Sequence, residues 1–395
     1  MAKTERGYFL IADITGYTAY LTESELEHAH HVLQTLLELL IEHTRPPLII
    51  SRLAGDAVIS YGLRDQFLSG QTFVEMIEDT YVAFRKAINL MVLNNICQCN
   101  ACANISNLDL KFFVHYGAFT LQRLGDHDEL LGSDVNLIHR LLKNRVTEEI
   151  GSRAYTLYTD AAIRQLGLED ISETMTPHEE RYEHLGEVKT HIQDMHPVWA
   201  AKKGQTRIEI PPGEWLAREE VEFPLPVHQM WDIVTDPEYR SLLMDSVRQK
   251  IHNRRAGRLA PGSVYECFHG GNRVTRQTIL DWQPFEQMTT EDTTPIPGAT
   301  CLVNIRLTST ETGTRVAFTC GKARGAWLSR VICNLGGGIA VRRQFRKGMR
   351  DFVARLKKEM AEGKRTSPEV AAIPAEKIGE AAAASLGNKI ERRPK

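Results

Sequence analysis

The run Tyr8 to Asp13 is continuously apolar until its last residue, the pattern of a strand buried on both faces. Behind it, Leu26, Ala29, Leu33, Leu36, Leu37 and Leu40 recur at helical spacing, and Pro46-Pro47 ends that stripe. Leu48 to Arg52 and Ala57 to Tyr61 read as two strands joined by a tight turn at Ala54-Gly55-Asp56. A helix over Gln71 to Leu93, a strand over Lys111 to Leu121, a helix over Val135 to Lys143 and a strand over Ala154 to Tyr158 follow. Gly186 to Thr190 and Pro197 to Ala200 close the region. Such alternation predicts an α/β or α+β sheet domain over residues 1–202.

Residues 203–214 carry Lys203-Gly204-Gln205 and Pro211-Pro212-Gly213 and read as linker. A second unit, 215–362, opens with a strand from Ala217 to Phe223 and a helix from Val227 to Val234, broken at Asp236-Pro237. Short strand signals fill Val247 to Cys320. A long helix from about Ile339 to Glu362 carries the stripe Phe345, Met349, Phe352 and Leu356. The Ala-, Glu-, Lys- and Pro-rich tail, 363–395, has the composition of a disordered segment.

A length of 395 residues fits two domains. The formal net charge of −2 lacks the basic excess of a generic nucleic-acid binder. Neither a signal peptide nor a transmembrane segment is visible, so a cytoplasmic protein is expected. In that setting seven cysteines point to thiols or metal ligands rather than a disulfide framework.

Asp13 ends the first strand and Asp56 sits in the following hairpin turn. Two carboxylates so placed can share hard cations through oxygen, although an aspartate in a turn more often serves the turn. Their surroundings change the odds. Phe9 to Thr18, with Asp13-Ile14-Thr15-Gly16 at its centre, resembles the first metal-binding segment of class III adenylate and guanylate cyclases. Ser51-Arg52-Leu53-Ala54-Gly55-Asp56-Ala57 resembles the second. His115-Tyr116-Gly117 resembles the family's His-x-Gly strand, and Leu131 to Arg140 its transition-state segment.

The resemblance implies a ferredoxin-like α/β sandwich that converts ATP to 3′,5′-cyclic AMP and pyrophosphate by two-metal catalysis. Asp13 and Asp56, with the backbone carbonyl of Ile14, would hold Mg²⁺ or Mn²⁺. Asn136 would orient the ribose, and Arg140 would stabilise charge on the α-phosphate; at four residues apart the two share one helix face. Arg52 and Glu129 stand where the family reads its purine. Arg52 can donate to adenine N1 and Glu129 can accept from its N6 amino group, but guanine can pair with the same groups in another arrangement. ATP or GTP is therefore the expected nucleotide. The family takes its metal aspartates from one domain and its Asn and Arg from a partner, so a homodimer is expected. Two departures favour an alternative, a degenerate sensing or dimerisation domain. Leu121-Gln122-Arg123 replace glycines after His-x-Gly, and Leu185 falls where the family has a phosphate-binding Lys, with Lys189 nearby.

Cys97-Gln98-Cys99-Asn100-Ala101-Cys102 is a C-x-C-x-x-C cluster suited to Zn²⁺ or an iron–sulfur centre. A fourth ligand is needed, and His115, His127 or a partner chain are the candidates. His28, His30 and His31 read as exposed helix residues.

Val221 to Val227 followed by Met230 to Pro237 resembles the opening of START-like domains of the SRPBCC, polyketide cyclase and lipid-transport class. The resemblance extends to Gly262-Ser263-Val264-Tyr265, Gly313-Thr314-Arg315-Val316 and the last helix. It implies a helix-grip fold whose apolar cavity holds a lipid or other hydrophobic small molecule, a candidate regulator of the first domain. Gly336-Gly337-Gly338 reads as a hinge, and the basic residues of the last helix as a solvated face.

Overall fold

The computed structural model describes residues 3–63, 69–94, 97, 99–124, 127–269, 274–335 and 338–362; the side chains of 124, 127, 128 and 338–341 are outside that description. The tail after 362 and positions 336 and 337 of the expected hinge also lie outside it. The chain divides into two compact units that meet between Gln205 and Thr206.

The first unit runs β1 (Thr4–Thr15), α1 (Tyr17–Glu23), α2 (Leu26–Thr44), β2 (Ile49–Ala54), β3 (Ala57–Leu63), α3 (Gly70–Leu93), α4 (Asn100–Asn104), β4 (Asp109–Leu124), β5 (His127–Leu131) and α5 (Ser133–Leu141). Then come α6 (Val146–Ile150), β6 (Tyr155–Thr159), α7 (Asp160–Leu166), α8 (Glu169–Ser172), β7 (Thr176–Tyr182), β8 (Gly186–Asp194) and α9 (His196–Lys203). The sheet order is β2-β3-β1-β4-β6-β8-β7, with β5 paired to β4. Only the β4–β6 pair is parallel among the described strands. Strand β1 lies between β3 and β4, which is why its run of apolar residues is unbroken: Tyr8 to Ala12 are all buried. One face packs Phe9, Ile11, Ile59, Phe113 and Leu157 against Val135, Ile138 and Leu141 of α5. The stripe read on α2 is buried at Ala29, Leu33, Leu36, Leu37 and Leu40, whereas Leu26, at the helix start, is exposed. Residues 197–200 belong to helix α9.

In the second unit the order is β9 (Trp215–Phe223), α10 (Val227–Thr235), α11 (Pro237–Leu243), β10 (Arg248–His252), β11 (Val264–Phe268), β12 (Val274–Gln283), β13 (Gln287–Thr293), β14 (Ala299–Thr310), β15 (Gly313–Gly321), β16 (Arg324–Gly325), α12 (Trp327–Leu335) and α13 (Gly338–Ala361). The antiparallel sheet runs β10-β11-β12-β13-β14-β15-β9. Asp236-Pro237 does end α10, and Asp236 then caps α11 by accepting from the N–H of Glu238 and Tyr239. Phe352 of α13 is fully buried, edge-on to Phe223, Tyr239 and Phe318. Residues 206–210, read as linker, lie along the second unit. The N–H of Ile208 donates to Asp281 and its carbonyl accepts from Thr289. Helix α12 had no counterpart in the sequence reading; Trp327, Leu328, Val331, Ile332 and Leu335 are exposed on it.

Candidate functional site

Register places the two metal-site aspartates together. Asp13 pairs with Ala57 across β1 and β3, next to Asp56 in the hairpin turn, and the Ile14 N–H donates to the Asp56 carbonyl at 3.1 Å. Side chains alternate along a strand, so Asp13 shares a face with Phe9 and Ile11, the face on which α5 packs. Lys111 lies opposite Asp13 on β4 and lies over the Tyr155 ring, 5.2 Å from its centroid. Burial, and then the neighbouring Asp56 charge, push the Asp13 carboxyl up to about 7, with Lys111 opposing. A half-buried carboxylate raised by a second carboxylate is a site a divalent cation would relieve. The donor set, two carboxylates beside a backbone carbonyl, suits Mg²⁺ or Mn²⁺.

Arg52 and Glu129, far apart in sequence, meet across β2 and β5. Arg52 Nη1 lies 3.3 Å from Glu129 Oε2, both partly exposed. His139 of α5, which the sequence reading overlooked, completes the group with Nε2 3.3 Å from Arg52 Nη2. Burial, then Arg52, lower the His139 pKa, so a neutral ring can accept from the guanidinium there. An exposed ion pair of this kind contributes only ~0–1 kcal/mol. Donor and acceptor can therefore be redirected to a ligand at little cost.

Asn136 and Arg140 are both exposed on α5, while Val135, Ile138 and Leu141 of the same helix are buried. Neither polar side chain has a hydrogen bond or ion pair among the described residues. The His-x-Gly element braces this helix. The N–H of Ala118 donates to Asp134 Oδ2 at 2.6 Å, and a Cβ on Gly117 would meet the Asp134 side chain at 2.4 Å. His115 is buried, with Nδ1 2.9 Å from Thr159 Oγ1 and Nε2 3.5 Å from Asp134 Oδ1. Together with the Ala118 N–H it holds the Asp134 carboxyl below the usual carboxylate range.

His115 is thus committed to Asp134 and Thr159 and is not the fourth ligand of the cysteine cluster; the His127 side chain lies outside the described residues. The side chain that does lie with the three cysteines is His28. Its Nδ1 and the sulfurs of Cys97, Cys99 and Cys102 all lie within 4.8 Å of one another. As read, His28 is an exposed residue of α2, and the start of that helix lies beside the cluster. Leu185 is half-buried in the turn between β7 and β8, and Lys189 is exposed on β8.

In the second unit, Leu243, His269, Gln277, Asp292, Val303 and Phe345 line a cavity of about 630 Å³. Its polar end is a buried chain in which Arg240 donates to Gln277 at 2.8 Å and Gln277 to Asp292. Burial pushes the Asp292 carboxyl up to about 6, against hydrogen bonds from Thr290 and Gln277 and the Arg240 charge.

Residues 214–361 match the family described as polyketide cyclase / dehydrase and lipid transport, the START-like class resembled in the sequence. Residues 33–150 match a family described as a protein of unknown function, DUF2652. The uncharacterized protein Rv2561/Rv2562 of Mycobacterium tuberculosis (strain ATCC 25618 / H37Rv) is 35% identical over 99 residues, 25% of this chain; the chain covers 44% of that relative's length. Among solved structures, a bacterial light-regulated adenylyl cyclase aligns with 51% of this chain and 57% of its own, at 12% identity and a TM-score of 0.37. The adenylyl cyclase CyaB from P. aeruginosa aligns with 49% of this chain and 96% of its own, at 15% identity and a TM-score of 0.35. The chain is a mixed α+β protein. No described helix is long and apolar enough to cross a membrane.

Proposed function

We propose that the first unit is a purine nucleotide cyclase that converts ATP to 3′,5′-cyclic AMP and pyrophosphate, working as a homodimer. The observation that carries this reading is the pairing of Asp13 with Asp56 at the end of β1, on the face where α5 packs. Asp13, Asp56 and the Ile14 carbonyl would hold Mg²⁺ or Mn²⁺, which supplies charge to acidify the ribose 3′-hydroxyl and to clamp the triphosphate. The chain's own residues do the rest. Arg52 and Glu129, with His139 behind Arg52, present a donor and an acceptor to the purine edge. Asn136 orients the ribose and Arg140 neutralises charge growing on the α-phosphate. Their exposure and lack of partners suit residues that act on a nucleotide held by a second copy. The START-like unit would hold a hydrophobic small molecule or lipid, with its polar group at the Gln277–Asp292 end, as a regulator.

A second reading, a nucleotide sensor without turnover, is favoured by Leu185 where a phosphate-binding Lys is expected. Turnover of ATP and of GTP with Mn²⁺, measured for the wild type and for Asp56→Ala, separates the two. Cyclic nucleotide made by the wild type and lost in the variant supports the cyclase. Nucleotide binding without product supports the sensor.

A further inference from the structure

We propose that His28, Cys97, Cys99 and Cys102 form a closed Zn²⁺ site that staples the start of α2 to the chain between α3 and β4. Distances carry the inference. His28 Nδ1 lies 3.2 Å from Cys99 Sγ, 3.8 Å from Cys97 Sγ and 3.9 Å from Cys102 Sγ. Zinc–sulfur bonds of about 2.3 Å and zinc–nitrogen bonds of about 2.0–2.1 Å at tetrahedral angles require nitrogen–sulfur separations of about 3.6 Å. The three measured values bracket that figure. An iron–sulfur cluster spreads its ligands over several irons, whereas these four atoms all lie within 4.8 Å of one another, close enough to share one ion.

The surroundings are those of a bound anion of sulfur. The Cys102 N–H points at Cys99 Sγ, 3.4 Å away, in the turn that opens α4. Glu25, the residue before α2, accepts from the N–H groups of Asn100 and Ala101 at 3.3 and 3.0 Å and so fixes the cysteine turn against that helix. Tyr20 of α1 is buried, and its hydroxyl has no hydrogen-bond partner in the described structure. It lies near Cys102, Cys99 and Glu25. This is the conserved logic of a metal's outer shell, in which hydrogen bonds to the ligands fix their orientation.

Binding releases the three thiol protons to solvent and uses the neutral ring of His28 through Nδ1, with no change of oxidation state. Four protein ligands leave no open position, so the site is structural rather than catalytic. It joins α2 and α4, while α1, with Tyr20, follows directly on β1, the strand that carries Asp13. The inference stands independently of nucleotide turnover.

The test is metal content and Co²⁺ exchange on the full-length protein, purified without chelator. The expected result is one zinc per chain, released by a thiol-specific mercurial, and a Co²⁺ form with the intense ligand-field bands of a tetrahedral thiolate site. His28→Ala should lower Zn²⁺ affinity by more than the roughly 10–100-fold that loss of an outer-shell partner costs. His31→Ala, three residues along the same helix, should leave affinity unchanged. His28→Cys should retain the metal and shift the Co²⁺ spectrum toward four thiolates, which keeps the test decisive if His28→Ala does not fold. Iron with labile sulfide in place of zinc would overturn the proposal. So would a wild type that binds Zn²⁺ no more tightly than Cys99→Ser, or a His28→Cys protein that cannot hold the metal.

Discussion

Asp13 concentrates the electrostatics of the first unit. Its carboxyl is raised to about 7, whereas in the unfolded chain it ionises near 3.8. The folded protein therefore binds more protons than the unfolded chain between those values, and metal-free stability falls as pH rises through that window. Asp13→Asn removes the penalty. In chelator at pH 8 the variant should be more stable than the wild type by on the order of 2–4 kcal/mol, and the gain should shrink toward zero as the pH is lowered to about 4. Denaturant titrations of both proteins across that range check it; equal pH profiles would contradict the burial and pairing of this carboxyl. Metal should oppose the trend, because a cation replaces the proton. At the base site, Arg52→Ala should raise KM for the purine nucleotide far more than Arg123→Ala, a basic residue on the exposed end of β4. Equal effects of the two substitutions would remove Arg52 from the site.

What could be read in advance at this scale depended on where the information lies. Asp13, Asp56, Asn136 and Arg140 sit in short local motifs, and each motif is one strand end, turn or helix. Lys111 and His139 were invisible because they meet Asp13 and Arg52 only through sheet register and helix docking. That His28 lies beside the cysteines was invisible for the same reason. Its distance of about seventy residues from the cysteines is closed by the packing of α4 on the start of α2, and no periodicity encodes that.

At the scale of elements, α5 is the part whose position matters most, and its anchor is Asp134 seated on Gly117. Gly117→Ala places a methyl group into that seat and should cost ~1–3 kcal/mol of stability. It should lower turnover through displaced Asn136 and Arg140 while Mn²⁺ binding at Asp13 and Asp56 persists. Separate titrations of activity and of metal binding check this; loss of both together would mean the sheet itself has failed. In the second unit, Phe352→Ala deletes the aromatic centre of α13 packing and should cost ~3–5 kcal/mol. Long, strongly striped elements such as α2, α3 and α13 were legible because burial on one face imposes the 3.6-residue period. Short helices α6, α7 and α8 and the strand β7 were not, since four to seven residues hold too few periods to show a stripe.

For the whole molecule, each chain carries one Asp13–Asp56 pair and one Asn136–Arg140 face. If the two act across a dimer, a chain lacking Asp56 still offers Arg140 to its partner, and a chain lacking Arg140 still offers the aspartates. The most direct measurement is cyclic nucleotide formation by wild type, by Asp56→Ala, by Arg140→Ala, and by the two variants mixed. The account predicts activity in the wild type, none in either variant alone, and recovery in the mixture. Absence of product from the wild type with ATP and with GTP, or two inactive variants that stay inactive together beside an active wild type, would contradict it.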